Sequence, residues 1–147
     1  MNYHNITKDD MLNGEGLRVV LWISGCSHRC RGCQNPQTWD CKSGIQFDES
    51  AKKEIFDELS KDYIAGITFT GGDPLHQKNL ESVLDLVNEI RLSYPEKTIW
   101  LYTGYTLEQI MYPVVTDDFN PERDKLLKMR REIVKQCDVL VDGRYRS

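Results

Sequence analysis

The sequence lacks the features that would connect the protein to a membrane or to export. None of its apolar runs approaches the length of a membrane-spanning helix, which is about 20 residues. The opening residues, Met1-Asn2-Tyr3-His4, do not show a signal-peptide pattern. We therefore expect no membrane association and a cytoplasmic location.

Positive charge is also scarce, and several familiar catalytic sets are missing. The chain has 19 Lys and Arg residues against 23 Asp and Glu residues, so its net charge of −4 leaves no basic footprint for nucleic acid. We find no Ser/His/Asp set, no phosphate-binding loop and no pair of catalytic carboxylates. With 147 residues the chain is expected to be one domain, residues 1–147, and it is too short for an eight-fold barrel of about 250 residues.

The number and spacing of the cysteines are informative about the compartment and the chemistry of the protein. Five cysteines without a secretory signal argue against a disulfide framework and for the reducing cytosol. Three of them, Cys26, Cys30 and Cys33, lie within eight residues and are spaced C-x3-C-x2-C. An apolar segment over residues 17–24 precedes them and predicts a buried strand, so the thiols follow a strand end.

Three close thiolates restrict what this loop can bind. Thiolates are soft ligands that select zinc, copper(I) or iron–sulfur clusters. A structural zinc site needs four ligands, and His28, Cys41 or Cys137 would have to supply the fourth without completing a second C-x2-C pair. Ferredoxin-type clusters also use four cysteines. Three cysteines on a cubane leave one iron without a protein ligand, and this favours a catalytic cluster at which a substrate binds.

Apolar, β-branched segments alternate with helical patterns along the chain. This alternation predicts a parallel sheet with right-handed crossovers. About four βα units would form a partial barrel or an open curved sheet. After a polar segment over residues 1–16, we predict strands at 17–24, 67–70, 98–102 and 138–141. We predict helices over 50–62, from Pro74 through the apolar pattern that ends at Tyr94, and from Asn120-Pro121 onwards.

Candidate binding residues follow the second predicted strand. Gly71 and Gly72 would let the main chain approach a ligand without an intervening side chain. Asp73 is a suitable helix N-cap, and Pro74 suits the first helical position. The alternative is a well-capped turn that binds nothing.

Thr103 and Asp142 follow the third and fourth predicted strands. Because the carboxyl ends of parallel strands meet at one edge of a sheet, we expect these residues to converge with Gly71 and the cysteine loop. Thr103 either bonds a cofactor or caps the next turn, and Asp142 either binds near a cofactor or caps the strand end. We interpret Cys137 as a small buried hydrophobe, Cys41 as a surface thiol, and the run Lys128, Arg130 and Arg131 as a solvated face.

The C-x3-C-x2-C spacing resembles the cluster motif of the radical S-adenosylmethionine enzymes. Six further segments are similar, in the same order, to the anaerobic ribonucleotide reductase-activating proteins of that superfamily. They lie at residues 13–18, 24–26, 33–39, 70–75, 100–105 and 141–145. The resemblance covers nearly the whole chain and implies a fold of the radical S-adenosylmethionine type.

The resemblance implies an activating enzyme. In that family the three cysteines, here Cys26, Cys30 and Cys33, bind a [4Fe–4S] cluster whose fourth iron is chelated by S-adenosylmethionine. One electron from the reduced cluster cleaves the sulfonium to methionine and a 5′-deoxyadenosyl radical. That radical takes a hydrogen atom from a glycine Cα of the reductase. The implied partners are the large subunit of an anaerobic ribonucleoside-triphosphate reductase and a low-potential electron donor such as flavodoxin.

The resemblance also assigns cofactor-binding residues. The segment Gly71-Gly72-Asp73 would contact the methionyl amino group of S-adenosylmethionine; Asp73 stands where many relatives outside the activator group have Glu. We assign the remaining cofactor contacts to residues in or near the motif and after the later strands: Gly32, Cys33, Gln34, Thr103 and Asp142.

Two other functions stay open. One is the activation of a different glycyl-radical enzyme, of the formate-lyase type. The other is a non-enzymatic zinc or iron–sulfur module. Relatives usually continue with a tail containing an Arg-Gly-Ser-Asn-like segment, so the stop at Ser147 predicts a domain that is short at its C-terminus, which bears on partner docking.

Overall fold

The computed structural model describes residues 1–11, 15–25, 44–111 and 121–142. The strands in this part of the chain are β1 (Asn2–Asp10), β2 (Leu17–Ile23), β3 (Ile45–Gln46), β4 (Ile64–Gly71), β5 (Thr98–Tyr102) and β6 (Val139–Val141). The helices are α1 (Glu49–Leu59), α2 (Leu80–Ser93), α3 (Leu107–Met111) and α4 (Pro121–Gln136). None of these helices has the length and apolar character needed to cross a bilayer.

The six strands form one open, mixed sheet in the order β3-β1-β2-β4-β5-β6. Strands β2, β4, β5 and β6 are parallel, with Leu21 opposite Phe69, Phe69 opposite Leu101, and Leu101 opposite Leu140. These four strands confirm the predicted apolar strands. The predicted α/β class and the open sheet are also confirmed, because helices alternate with these strands and the order of the described strands does not close on itself.

The expectation of a wholly parallel sheet is wrong, because β1 pairs antiparallel with both β2 and β3. The polar segment over residues 1–16 therefore contains the longest described strand. Only Ile6 of β1 is buried, so the segment has no apolar pattern of its own. Its conformation comes from pairing with β2, an influence that local sequence does not reveal.

The core lies on one face of the sheet. Alternate strand residues, among them Leu21, Phe69 and Leu101, pack against residues from all four described helices. Because strand side chains alternate between faces, the intervening residues Trp22, Thr68 and Trp100 lie on the opposite face. The described helices therefore pack on one face of the sheet, and Thr68 on the opposite face is also fully buried.

The helix predictions hold for α1, α2 and α4, with one correction at the start of α2. Asp73 was expected to be the N-cap and Pro74 the first helical residue, and this is wrong, because α2 begins at Leu80 after the N-cap Asn79. Residues 74–79 form two successive turns instead, with the Asp73 carbonyl accepting from the His76 amide at 3.0 Å and the His76 carbonyl accepting from the Asn79 amide at 2.8 Å. Helix α3 was not predicted.

A buried arginine holds the amino ends of the central strands together. Arg18 on β2 is 1% exposed. Its guanidinium donates five hydrogen bonds, to the hydroxyls of Thr68 and Thr98 and to the main-chain carbonyls of Glu15, Ile67 and Thr98. The guanidinium also lies 5.6 Å from the centre of the Trp100 ring. Burial lowers the pKa of Arg18 to about 10. This cluster is at the end of the sheet opposite the candidate site.

Candidate active site

The predicted site residues divide into two groups. Those in the cysteine loop lie outside the described residues: Cys26, His28, Cys30, Gly32, Cys33, Gln34 and Cys41. The others lie at the carboxyl ends of the parallel strands, where Gly71 and Gly72 follow β4, Thr103 follows β5 and Asp142 follows β6. Ser24 and Gly25, which lead into Cys26, follow β2 at the same edge. The expected convergence is therefore confirmed for the described members of the set.

Main chain packs directly against main chain at this edge. The Gly72 amide donates to the carbonyl of Ile23 at 2.6 Å, and the Asp73 amide donates to the carbonyl of Gly25 at 2.7 Å. A Cβ on Gly72 would lie 2.6 Å from the Gly25 carbonyl oxygen, and Gly71 has a φ of +97°. What requires glycine here is thus the neighbouring protein backbone, whereas the sequence suggested a ligand as the approaching group.

Asp73 joins the turn after β4 to the turn after β5. It is 1% exposed. Its Oδ1 accepts from the Thr103 hydroxyl at 2.7 Å and from the Leu75 amide at 2.9 Å, while Oδ2 accepts from the Gly104 amide at 3.0 Å. Hydrogen bonds to an ionised carboxylate are among the stronger ones in proteins. The carboxylate therefore fixes the relative position of the two turns.

Thr103 and Asp142 both have structural partners. The Thr103 hydroxyl also accepts from the Tyr105 amide at 3.2 Å, which is the turn-capping alternative considered from the sequence. Asp142 is exposed, and its Oδ2 accepts from the Leu107 amide at 2.8 Å, so it caps the start of α3. A contact of either side chain with a cofactor stays a prediction.

Asn79 was missed in the sequence analysis. It is 1% exposed, and its Nδ2 donates to the carbonyl of Ser24 at 2.9 Å and to the carbonyl of Asp73 at 3.0 Å. An asparagine just before an apolar helical pattern is a recognisable N-cap signal, and it would have placed the start of α2. No sequence signal would have indicated the bond to Ser24, which is 55 residues away.

The arginines of α4 correct another prediction. Arg130 donates from Nε to the Leu75 carbonyl at 3.0 Å and from Nη2 to the Tyr105 hydroxyl at 3.1 Å, and it stacks 4.5 Å from the Tyr105 ring centre. Arg131 donates to the carbonyl of Ile110 at 3.1 Å. The expected solvated face is therefore wrong for these two residues, although Lys128 is exposed. Arg130 ties α4 to both turns that Asp73 connects.

Cys137 has the packing role that was predicted. It packs against the core, and its thiol donates to the Ile133 carbonyl at 3.3 Å. Burial raises the pKa of the thiol to about 12, so the reactive thiolate is disfavoured. A buried, protonated thiol is a poor metal ligand, so we do not assign Cys137 to a metal site.

The donor set can be tested against possible metals. Within the described ranges, no three His, Cys, Asp or Glu side chains group as a metal site. The ligands that chemistry favours are the thiols of Cys26, Cys30 and Cys33, which are soft and one short of a closed zinc site. This set of three thiols fits an iron–sulfur cluster with one open iron. The carbonyl of Gly25, the residue before Cys26, accepts a hydrogen bond from the Asp73 amide.

The comparisons with known proteins agree with an iron–sulfur cluster. A family model described as a 4Fe-4S single cluster domain matches residues 12–147. Over 145 residues the chain is 41% identical to the anaerobic ribonucleoside-triphosphate reductase-activating protein of Enterobacteria phage T4, with 99% of this chain and 81% of that protein covered. Proteins of the same name are 38% identical over 147 residues in Pasteurella multocida (strain Pm70) and Escherichia coli (strain K12), covering 99% of this chain and 84% and 85% of those proteins.

Proposed function

Because the chain belongs to the family of anaerobic ribonucleoside-triphosphate reductase-activating proteins, we propose that it is a radical S-adenosylmethionine enzyme that forms the glycyl radical of such a reductase. The observation that carries the proposal is the three-cysteine loop, which lies inside the matched 4Fe-4S domain and begins next to Gly25. The partner is then the large reductase subunit, with a low-potential electron donor such as flavodoxin.

Different residues of the chain would bind the cluster and the S-adenosylmethionine. Cys26, Cys30 and Cys33 would hold the cluster through three thiolates. When bound, the reduced cluster and S-adenosylmethionine supply the 5′-deoxyadenosyl radical that removes a hydrogen atom from a glycine Cα, with methionine and 5′-deoxyadenosine as products. The protein supplies ligation, orientation and exclusion of water.

The turn over residues 71–73 would bind the methionyl amino group through main-chain atoms. We propose main-chain and not side-chain binding because the Asp73 carboxylate already accepts hydrogen bonds from Thr103, Leu75 and Gly104. Gly32, Gln34, Thr103 and Asp142 are the further residues that we assign to S-adenosylmethionine.

The open sheet supports a protein substrate. We assign the fold to the radical S-adenosylmethionine type, as a single domain with a partial barrel. The described strands form an open sheet and not a closed barrel, and its open side would give a large partner access to the strand ends. Reduced thiolate ligands require a reducing compartment, so we assign the protein to the cytoplasm.

The test is anaerobic reconstitution of the cluster, followed by reductant and S-adenosylmethionine with and without the reductase. We expect 5′-deoxyadenosine from the wild type and a glycyl radical when the reductase is present. Cys26→Ala, Cys30→Ala and Cys33→Ala should each abolish 5′-deoxyadenosine formation, whereas Cys137→Ala should retain it. Equal loss in all four variants would contradict the ligand assignment.

Two results would favour the other functions. Stoichiometric zinc in colourless protein after oxygen-free purification would indicate a zinc module. A pull-down that recovers only a formate-lyase-type enzyme would change the partner while leaving the chemistry intact.

A further inference from the structure

Three consecutive carbonyls just before the first cysteine are all engaged by the segment between β4 and α2. The carbonyl of Ile23 accepts from the Gly72 amide, that of Ser24 from Asn79 Nδ2, and that of Gly25 from the Asp73 amide. Two of these three donors are main-chain amides, so Asn79 supplies the side-chain member of the set. The main chain is therefore fixed up to the residue that precedes Cys26.

Asn79 contributes to this set at a cost to its own helix. It occupies the N-cap position of α2, yet its side chain makes no cap hydrogen bond. A side-chain cap ordinarily stabilises a helix, and α2 forgoes this contribution. The amide instead donates one N–H to Ser24 and the other to Asp73, so it joins the approach to Cys26 to the turn that follows Gly72.

We propose that Asn79 is a positioning residue for the cluster: it sets the main chain that leads into Cys26 relative to the turn over residues 71–73. This inference rests on the proposed function, which assigns the cluster to Cys26 and S-adenosylmethionine to that turn. Asn79 acts through the carbonyls of Ser24 and Asp73. A change at this residue would therefore release the main chain at Ser24 from the turn that follows Gly72.

The variants Asn79→Ser and Asn79→Asp separate positioning from helix capping. Serine and aspartate are both good N-caps, so either one keeps or improves the start of α2. The serine hydroxyl has a single donor on a shorter side chain, so it cannot replace both bonds, and the ionised aspartate has no donor and would face both carbonyl oxygens. Thr98→Val is the matched control, because it removes partly buried hydrogen bonds to Arg18 and Ala65 at the opposite end of the sheet.

The experiment measures three properties of the full-length, reconstituted protein. They are the melting temperature, the electron paramagnetic resonance spectrum of the reduced cluster with and without S-adenosylmethionine, and 5′-deoxyadenosine formation. We expect both Asn79 variants to change the spectrum with S-adenosylmethionine and to form product about 10- to 100-fold more slowly, the usual effect of losing an outer partner of a metal site. Thr98→Val should lower the melting temperature without changing the spectrum.

Hydrogen exchange on the cluster-free protein gives an independent readout. The amides near Ser24 and Gly25 should exchange faster in Asn79→Ser than in Thr98→Val. Wild-type spectra and rates in both Asn79 variants would overturn the positioning role while leaving the proposed function standing. The inference is also overturned if Asn79→Ser and Thr98→Val lose stability and activity in the same proportion with unchanged spectra. A wild type that binds a cluster but yields no 5′-deoxyadenosine would instead refute the proposed function, and this inference with it.

Discussion

A methyl group on Gly72 would lie 2.6 Å from the carbonyl oxygen of Gly25. At the scale of single residues, this contact predicts the effect of Gly72→Ala. The strand ends must move apart, so we expect the free energy of unfolding to fall by on the order of 2 kcal/mol, together with loss of 5′-deoxyadenosine formation. Urea denaturation and the turnover assay measure the two effects.

Gly66→Ala is the control for this prediction. A Cβ at Gly66 would overlap the carbonyl of Thr98, far along β4 from the site. This variant should lose stability, yet its folded fraction should keep the wild-type cluster spectrum. Unchanged stability in Gly72→Ala would show that the close backbone contact is wrong.

The Cys137 thiol predicts a stability change at high pH. Its pKa is raised by burial from 9.0 to about 12, so between these values the unfolded state loses the proton while the folded state keeps it. The contribution of this thiol to stability is therefore complete below pH 9 and falls above it, by at most about 1.4 kcal/mol per pH unit. The stability difference between wild type and Cys137→Ala should accordingly shrink by about 1 kcal/mol from pH 8 to pH 10. A constant difference in urea unfolding under reducing conditions would contradict this.

At the scale of elements, Arg18 predicts how the strands depend on one side chain. Arg18→Met would remove five hydrogen bonds, which the guanidinium donates to the hydroxyls of Thr68 and Thr98 and to three main-chain carbonyls. We expect the free energy of unfolding to fall by about 3 kcal/mol or more in urea denaturation.

Arg18→Lys serves as the second variant in this test. An ammonium has three donors and cannot reproduce the planar set of five, so this variant should also be destabilised. A lysine variant as stable as wild type would mean that charge alone, rather than the planar hydrogen-bond set, matters at this position.

The same element scale shows what the sequence could predict. Strands β2, β4, β5 and β6 were predicted because burial leaves a local trace of apolar, β-branched residues. Strand β1 leaves no such trace, since its order comes from pairing with β2. The delayed start of α2 was missed because Asp73 and Pro74 satisfy every local rule for a helix start, while the Asp73 carboxylate is bonded to Thr103 and Gly104, about 30 residues away.

At the scale of the whole molecule, the order of strands predicts hydrogen exchange. Strands β2 and β4 are each paired on both sides, whereas β6 pairs only with β5 among the described strands. We expect the amides of β4 to exchange at least about 100-fold more slowly than those of β6, because central strands open only with larger unfolding events. Mass spectrometry of exchanged peptides measures this, and equal rates would contradict the sheet order.

The topology also explains why part of the site was predictable. Parallel strands deliver their carboxyl ends to one edge, so the neighbourhood of Gly71, Asp73 and Thr103 followed from strand order alone. The bonds that fix that neighbourhood, from Asn79 to Ser24 and from Arg130 to Leu75, join residues 55 positions apart. Such pairs depend on packing in three dimensions, and a single sequence carries no trace of them.

Gln77 and Lys78 are exposed residues in the two turns between Asp73 and Asn79, and most replacements there should be harmless. The number of residues in this connection, in contrast, is constrained. Asn79 reaches the Ser24 carbonyl only from the end of a connection of fixed length, so deleting or inserting one residue would displace the amide even though every contact side chain is retained. During divergence this connection is therefore expected to vary in composition at residues 77 and 78 and hardly at all in length.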